Sequence, residues 1–230
     1  MNIIIKNIDN IKKRIAEAAK GGNVTLVAVT KTFSAEEAEE AVKNGVKDIA
    51  ESKIQEALPK FDVLSNKLDG INKHFIGHLQ SNKAKKAVQN FDLIQSLDSI
   101  NLADSINKYA KDTGKLQKCL IELKVSQEES KFGVTNDKVY EIYRYCSEKC
   151  KNISISGIMT IAPYFENKED VRPYFKLAYS VFNDLKQKSG DESFKILSMG
   201  MSSDFEVAIQ EGSNMVRIGS AIFGERNYDK

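Results

Sequence analysis

The chain has 230 residues, 41% hydrophobic and 29% charged, ordinary proportions for a globular protein with a full core. Its 34 basic and 32 acidic side chains leave a net charge of +2, so no bulk field points to nucleic acid or an acidic membrane as a partner. The longest apolar runs are strand-sized, too short to span a bilayer, and the first residues lack the pattern of a secretory signal, so a cytoplasmic location is expected. Cys119, Cys146 and Cys150 have neither disulfide nor zinc spacing, and no metal site is expected.

Ile4, Ile8, Ile11, Ile15 and Ala18 repeat at helical spacing, which predicts an amphipathic helix over 3–20, stopped by Gly21-Gly22. Strand and helix signals then alternate to the end. Strand one is 24–29, followed by a helix over 34–44 with Ser34 as N-cap and Gly45 as its stop. Strand two is 48–51, and the helix from Ile54 is expected to break or end near Pro59. Strand three is 74–77 with a helix over 83–90, and strand four is 93–97 with a helix over 99–111. Strand five is 119–125 with a helix over 137–149, on which Val139, Ile142, Tyr143, Cys146 and Cys150 form a buried stripe. Strand six is 153–160, with a long helix over 171–188 whose core stripe is Phe175, Ala178, Tyr179, Phe182 and Leu185. Strand seven is 195–198 with a helix over 203–210, and strand eight is 215–218, with 221–223 leading into the tail.

Eight β/α units of this size predict a single α/β domain over 1–230, a (β/α)8 TIM barrel over 24–224 with an extra N-terminal helix over 1–20. An open doubly wound sheet would give a similar string, but chemistry-bearing residues after strands one, three, seven and eight favour closure.

Lys31 stands where strand one emerges, the barrel end at which chemistry is placed. Alone, such a lysine simply exits into solvent. The C-terminal end of the chain reverses that reading. Strand seven runs into Ser198-Met199-Gly200-Met201-Ser202-Ser203-Asp204 and strand eight into Arg217-Ile218-Gly219-Ser220. Glycine admits close backbone approach, and hydroxyls at a helix N-terminus favour an anion. A serine N-cap or a corner glycine alone would be ordinary. Both, on the two loops that build phosphate sites in such barrels, predict a phosphate cup. A lysine opposite that cup suggests a phosphorylated carbonyl held as a Schiff base, for which the amine must lose its proton. Arg217, on a strand adjacent to strand one, either favours that loss or reaches the ligand's ring. The pair His74 and His78, at strand spacing, is too far apart for one metal ion and is read as packing or pocket edge. Lys83, Lys85 and Lys86 are read as a solvated helix face.

Six segments carry a resemblance. They are V-A-V-T-K-T around Lys31, H-F-I-G-H-L-Q-S-N-K over 74–83, E-E-S-K-F-G over 128–133, G-I-M-T-I-A-P over 157–163, L-S-M-G-M-S-S-D over 197–204 and V-R-I-G-S-A-I-F-G over 216–224. In this order the chain resembles the pyridoxal phosphate homeostasis protein family, related to the N-terminal barrel of alanine racemase. The resemblance implies that Lys31 carries pyridoxal 5′-phosphate (PLP) as a Schiff base. It further implies that Ser202, Gly219 and Ser220 hold the phosphate, that Arg217 faces the pyridine nitrogen, and that Met199, Gly200 and Met201 shape the loop. His78 and Met159 are implied in or near the pocket. Two departures stand out: Ser52 replaces an asparagine near the cofactor, and Gln95 replaces a histidine.

The function expected on this basis is PLP binding in intracellular vitamin B6 homeostasis without robust catalysis, passing the cofactor on or buffering it, as a monomer with PLP-dependent enzymes as partners. The alternative is a PLP-dependent amino-acid racemase, which needs an acid/base pair across the substrate carbon. Related racemases draw one member from a second domain, for which no room is expected after Lys230. A third reading is a phosphosugar enzyme using Lys31.

Overall fold

Eight short parallel strands, each hydrogen-bonded to the next, close on themselves into a barrel in the order β1 to β8. A computed structural model of the chain describes residues 3–126, 128 and 132–225. The strands are β1 Thr25–Val29, β2 Asp48–Glu51, β3 Asn72–Phe75, β4 Leu93–Leu97, β5 Gln117–Leu123, β6 Ile153–Thr160, β7 Ile196–Ser198 and β8 Met215–Ile218. The helices are α1 Ile3–Ala19, α2 Ala35–Lys43, α3 Ile54–Val63, α4 Ala84–Asn90, α5 Ile100–Asp112, α6 Asn136–Lys149, α7 Arg172–Ser189, α8 Phe205–Gln210 and α9 Ser220–Phe223. Closure is made by β1 against β8, with Thr25 opposite Met215 and Val27 opposite Arg217.

Strand alternation divides the apolar residues into two cores. Val27, Val29, Ala50, Leu93, Leu120, Met159 and Met215 point inward and fill the barrel. Their neighbours Ala28, Ile49, Ile94, Ile121, Ile158 and Leu197 point outward into the layer shared with the helices. Strands buried on both faces are mostly apolar, which makes β1 and much of β6 legible as continuous runs, while a minority of buried polar side chains, Glu51, Gln95, Glu122, Ser198 and Arg217 among them, interrupts the others.

The N-terminal helix is an integral wall. Ile4, Ile8, Ile11 and Ile15 are buried along one face of α1. Asn7 donates to the Ile222 carbonyl in α9 at 2.9 Å, and Arg14 pairs with Glu206 of α8 while lying over the Phe205 ring. Ser34 caps α2 in a reciprocal capping box with Glu37.

Four expectations need correction, the first being strand five, which is Gln117–Leu123 and not 119–125. Pro59 does not end its helix: α3 runs to Val63 with the proline inside. The turns beyond Pro59 bury Lys60 and Phe61, and these tertiary contacts outweigh the missing backbone donor. Strand three begins and ends two residues earlier than the apolar letters suggest, so His78 lies in the loop beyond it. The Ile76 N–H still donates to the Glu51 carbonyl, and a Cβ on the next residue, Gly77, would sit on the Ser52 carbonyl, so beyond β3 the chain packs directly against the residue that follows β2. On α7 the buried stripe takes Val181, while Tyr179 is 43% exposed and its ring lies over Gly212. The cysteines are buried thiols, in accord with a packing role. No helix among the described residues is long and apolar enough to cross a membrane.

Candidate functional site

Lys31 lies just beyond β1, on the rim formed by the strands' carboxyl ends. A tight turn holds it there. Thr30 donates its N–H to the Ala50 carbonyl at 2.9 Å, and its own carbonyl accepts the Phe33 N–H at 3.1 Å. Between them Thr32 is left-handed at φ 69°, a conformation that disfavours a β-branched residue. What holds the turn from below is a buried ion pair. The Lys60 ammonium donates to the Thr30 carbonyl at 2.6 Å and to Glu51 Oε1 at 2.5 Å, and Thr30 Oγ1 donates to the same oxygen at 2.7 Å. Glu51 has no exposed surface, and among the described residues its Oε2 has no hydrogen-bond partner. Burial raises its pKa while Lys60 opposes the shift.

The loops after β7 and β8 meet the Lys31 loop on the same rim. The Phe33 ring packs on Phe223 of α9 with centroids 4.7 Å apart. Gly219 is the N-cap of α9, so the N–H groups of Ser220 and Ala221 have no partner within the helix. Ala221 donates its N–H to Ser202 Oγ at 3.2 Å, and Ser220 is exposed at the same helix end. Gly200 is left-handed at φ 95°, and a Cβ there would meet the Ala208 Cβ at 2.6 Å, so only glycine lets this loop lie against α8. Met201 donates its N–H to Asp204 at 2.6 Å. Met199 is fully buried in the layer shared with the helices and steadies the loop from behind.

Arg217 enters the barrel from β8 and is 3% exposed. Its Nη1 donates to Ser198 Oγ at 2.7 Å and its Nη2 to the Thr160 carbonyl at 2.8 Å, at the carboxyl ends of β7 and β6. Burial pulls its pKa down to about 10, with Glu122 and Asp204 opposing, so it stays charged at neutral pH. Met159 lies fully buried inside the barrel.

Across the mouth, Ser52 is half-buried beside Gly77, and His78 lies 3.3 Å from Asp98 and stacks on Phe132 at 4.0 Å. Of the segment 128–133, residues 129–131 lie outside the described residues. His74 is separate from His78: it is buried in β3 and hydrogen-bonded to Gln95 and Asp48.

Sequence reasoning missed Glu51, Lys60, Ser198 and Glu122. Glu122, on β5, is 6% exposed, and burial together with the Asp98 charge pushes its pKa up to about 7 against the pull of Arg217. A signal existed for two of them. D-I-A-E and L-I-E-L each place a carboxylate in an otherwise apolar strand, which requires a partner or a raised pKa.

This donor set has a defined chemistry. Serine hydroxyls and opening N–H groups of a short helix suit a phosphate dianion. A primary amine on the facing loop is a nucleophile for a carbonyl. A guanidinium, which can only donate, suits an unprotonated ring nitrogen. A phosphorylated pyridine aldehyde therefore fits the residues present.

Fold and rim together define a barrel of the alanine racemase N-terminal type, and the family model described as alanine racemase, N-terminal domain, matches residues 3–227. A protein of Aquifex aeolicus named pyridoxal phosphate homeostasis protein is 43% identical over 222 residues, covering 96% of each chain. The solved structure of PipY from Synechococcus elongatus without PLP aligns with a TM-score of 0.88 at 31% identity, covering 96% of this chain and 100% of that one. The same protein with PLP bound aligns with a TM-score of 0.85 at 30% identity and the same coverage. The chain belongs to the alanine racemase N-terminal domain family, among the members named pyridoxal phosphate homeostasis protein.

Proposed function

We propose that this chain binds pyridoxal 5′-phosphate at the barrel mouth through Lys31 and serves vitamin B6 homeostasis in the cytoplasm, as a monomeric single barrel domain that passes the cofactor to PLP-dependent enzymes. The observation that carries the reading is the convergence of Lys31, the Ser202–Ala221 contact and Arg217 on one rim, in a fold whose relative PipY has been solved with PLP bound.

When bound, PLP supplies an aldehyde carbon open to amine attack and a ring that withdraws electrons from it. The Thr30–Phe33 turn, held by Lys60 and Glu51, presents the Lys31 amine to that carbon. Ser202, Gly219 and Ser220 hold the phosphate with neutral donors, and Met201 orders their loop through Asp204. Arg217, charged at neutral pH, would offer a donor to the ring nitrogen and keep a proton off it, which would leave the ring a weaker electron sink. Ser52 and His78 border the opposite edge, and Met159 closes the floor. A rim that binds without strengthening the electron sink suits storage and transfer better than carbanion chemistry.

The test is the visible spectrum of wild type and Lys31→Ala after incubation with PLP, followed by borohydride reduction and peptide mass mapping. The expected result is a cofactor band in wild type, trapping on the peptide that carries Lys31, and loss of both in the variant. A wild type that stays colourless refutes the reading. Incubation of the loaded protein with single amino-acid enantiomers then separates a carrier from a racemase.

A further inference from the structure

Behind Arg217 a file of polar side chains crosses the barrel interior. Ser198 Oγ, which accepts from Arg217, lies 2.7 Å from Gln95 Oε1. Gln95 Nε2 lies 2.8 Å from His74 Nδ1, and His74 Nε2 lies 3.1 Å from Asp48 Oδ1. The residues come from β8, β7, β4, β3 and β2, and Ser198, Gln95 and His74 are at most 2% exposed. The second N–H of Gln95 faces Met215 Sδ at 3.5 Å, and Asp48 Oδ1 also accepts from Asn72 at 2.9 Å.

The two ends of this file set its direction. Guanidinium can only donate and carboxylate can only accept. With Arg217 donating to Ser198, the serine hydroxyl hydrogen passes to Gln95 Oε1. That leaves the Gln95 amide NH2 toward His74, so Nδ1 accepts and the imidazole proton sits on Nε2, aimed at Asp48. Reversing the amide would point a bare Nε2 of a neutral imidazole at a carboxylate, in a low-dielectric interior where such a mismatch is expensive. With a neutral His74 ring, a single consistent orientation therefore runs from the mouth to the opposite end of the barrel.

We propose that Gln95 and His74 are positioning residues for Arg217: this one-way file of hydrogen bonds orients its guanidinium toward the mouth. The inference rests on the reading of Arg217 as the group that faces the cofactor ring. It also accounts for Gln95 standing where the resembled family has histidine, since a neutral imidazole likewise carries one donor and one acceptor and can relay the same polarity.

The experiment uses the full chain with 15N-labelled histidine and arginine, and three proteins: wild type, Gln95→Met, which removes both donor and acceptor at similar volume, and Gln95→His. In wild type the His74 signals are expected as an accepting Nδ1 and a protonated Nε2, with slowly exchanging Arg217 Nη protons. In Gln95→Met the Arg217 Nη signals broaden and PLP binds about tenfold more weakly with a displaced visible band. Gln95→His restores both. A proton on Nδ1 of wild-type His74 overturns the proposal, as does a Gln95→Met protein with wild-type Arg217 signals. Should Gln95→Met not fold, the wild-type tautomer and Gln95→His still decide. If wild type takes up no PLP while the His74 and Arg217 signals behave as expected, the positioning file stands and the cofactor reading alone fails.

Discussion

Lys60→Met tests the support beneath Lys31. The substitution keeps most of the aliphatic stem and removes the ammonium that touches both the Thr30 carbonyl and Glu51. Glu51 is fully buried, so losing its counter-charge strands a carboxylate in the interior, a change that typically costs about 3–5 kcal/mol. The carboxylate has one escape, which is to take up a proton. Forcing that at pH 7, against an ordinary value of 4.5, costs about 3 kcal/mol at roughly 1.4 kcal/mol per unit. The sign follows: in the variant the folded carboxyl has the higher pKa, so stability improves as pH falls toward 4.5. Urea unfolding is expected to show a deficit of about 4 kcal/mol at pH 7.5 that narrows toward pH 5.5 by at most about 2.7 kcal/mol, because the wild-type carboxyl's own pKa is raised as well. The double variant Glu51→Gln/Lys60→Met should recover most of the loss, because no charge remains to strand. A Lys60→Met protein within 1 kcal/mol of wild type at both pH values, or a deficit that does not narrow in acid, refutes the clamp. The released Thr30 carbonyl is also expected to lower the yield of trapped Lys31 peptide.

Glu122→Gln is expected to stabilise the fold at pH 8 by about 3 kcal/mol and to leave it unchanged near pH 4.5, because the wild-type carboxyl, raised to about 7, loses stability as pH climbs from 4.5 to 7. Thermal unfolding at the two pH values measures this, and an equal effect at both would contradict it. Gly77→Ala drives a methyl into the Ser52 carbonyl, a backbone group that cannot rotate out of the way. It should lose about 1–3 kcal/mol in denaturant unfolding, and a neutral result would mean that the two loops part easily. Ser202→Ala removes the acceptor of the Ala221 N–H, and should weaken binding of PLP but not of pyridoxal, which has no phosphate. Equal weakening of both in equilibrium titrations would place the phosphate elsewhere.

Much of this protein is written in local chemistry. The apolar runs of β1 and β6, the Ser34 capping box and the glycines after β7 and β8 act within a few residues, so alternation, caps and the position of Lys31 at a strand end follow from the sequence itself. The family motifs could be placed for the same reason, as they are contiguous. What closure of the barrel decided are the meetings of distant residues: Lys60 with Glu51 and Thr30, Phe33 with Phe223, Arg217 with Ser198, and Ser198 with Gln95. The course of α3 through Pro59 and the early end of β3 belong with them, since tertiary contacts set both. The letters Gln95 and Ser198 are polar and strand-borne, and nothing local tells whether they face water or the barrel interior; for Glu122 the apolar neighbours in L-I-E-L signal burial but not its partners. Burial depends on which strands become neighbours, and burial is what turns an ordinary glutamate into a group that titrates near 7 and a glutamine into a link with one allowed direction.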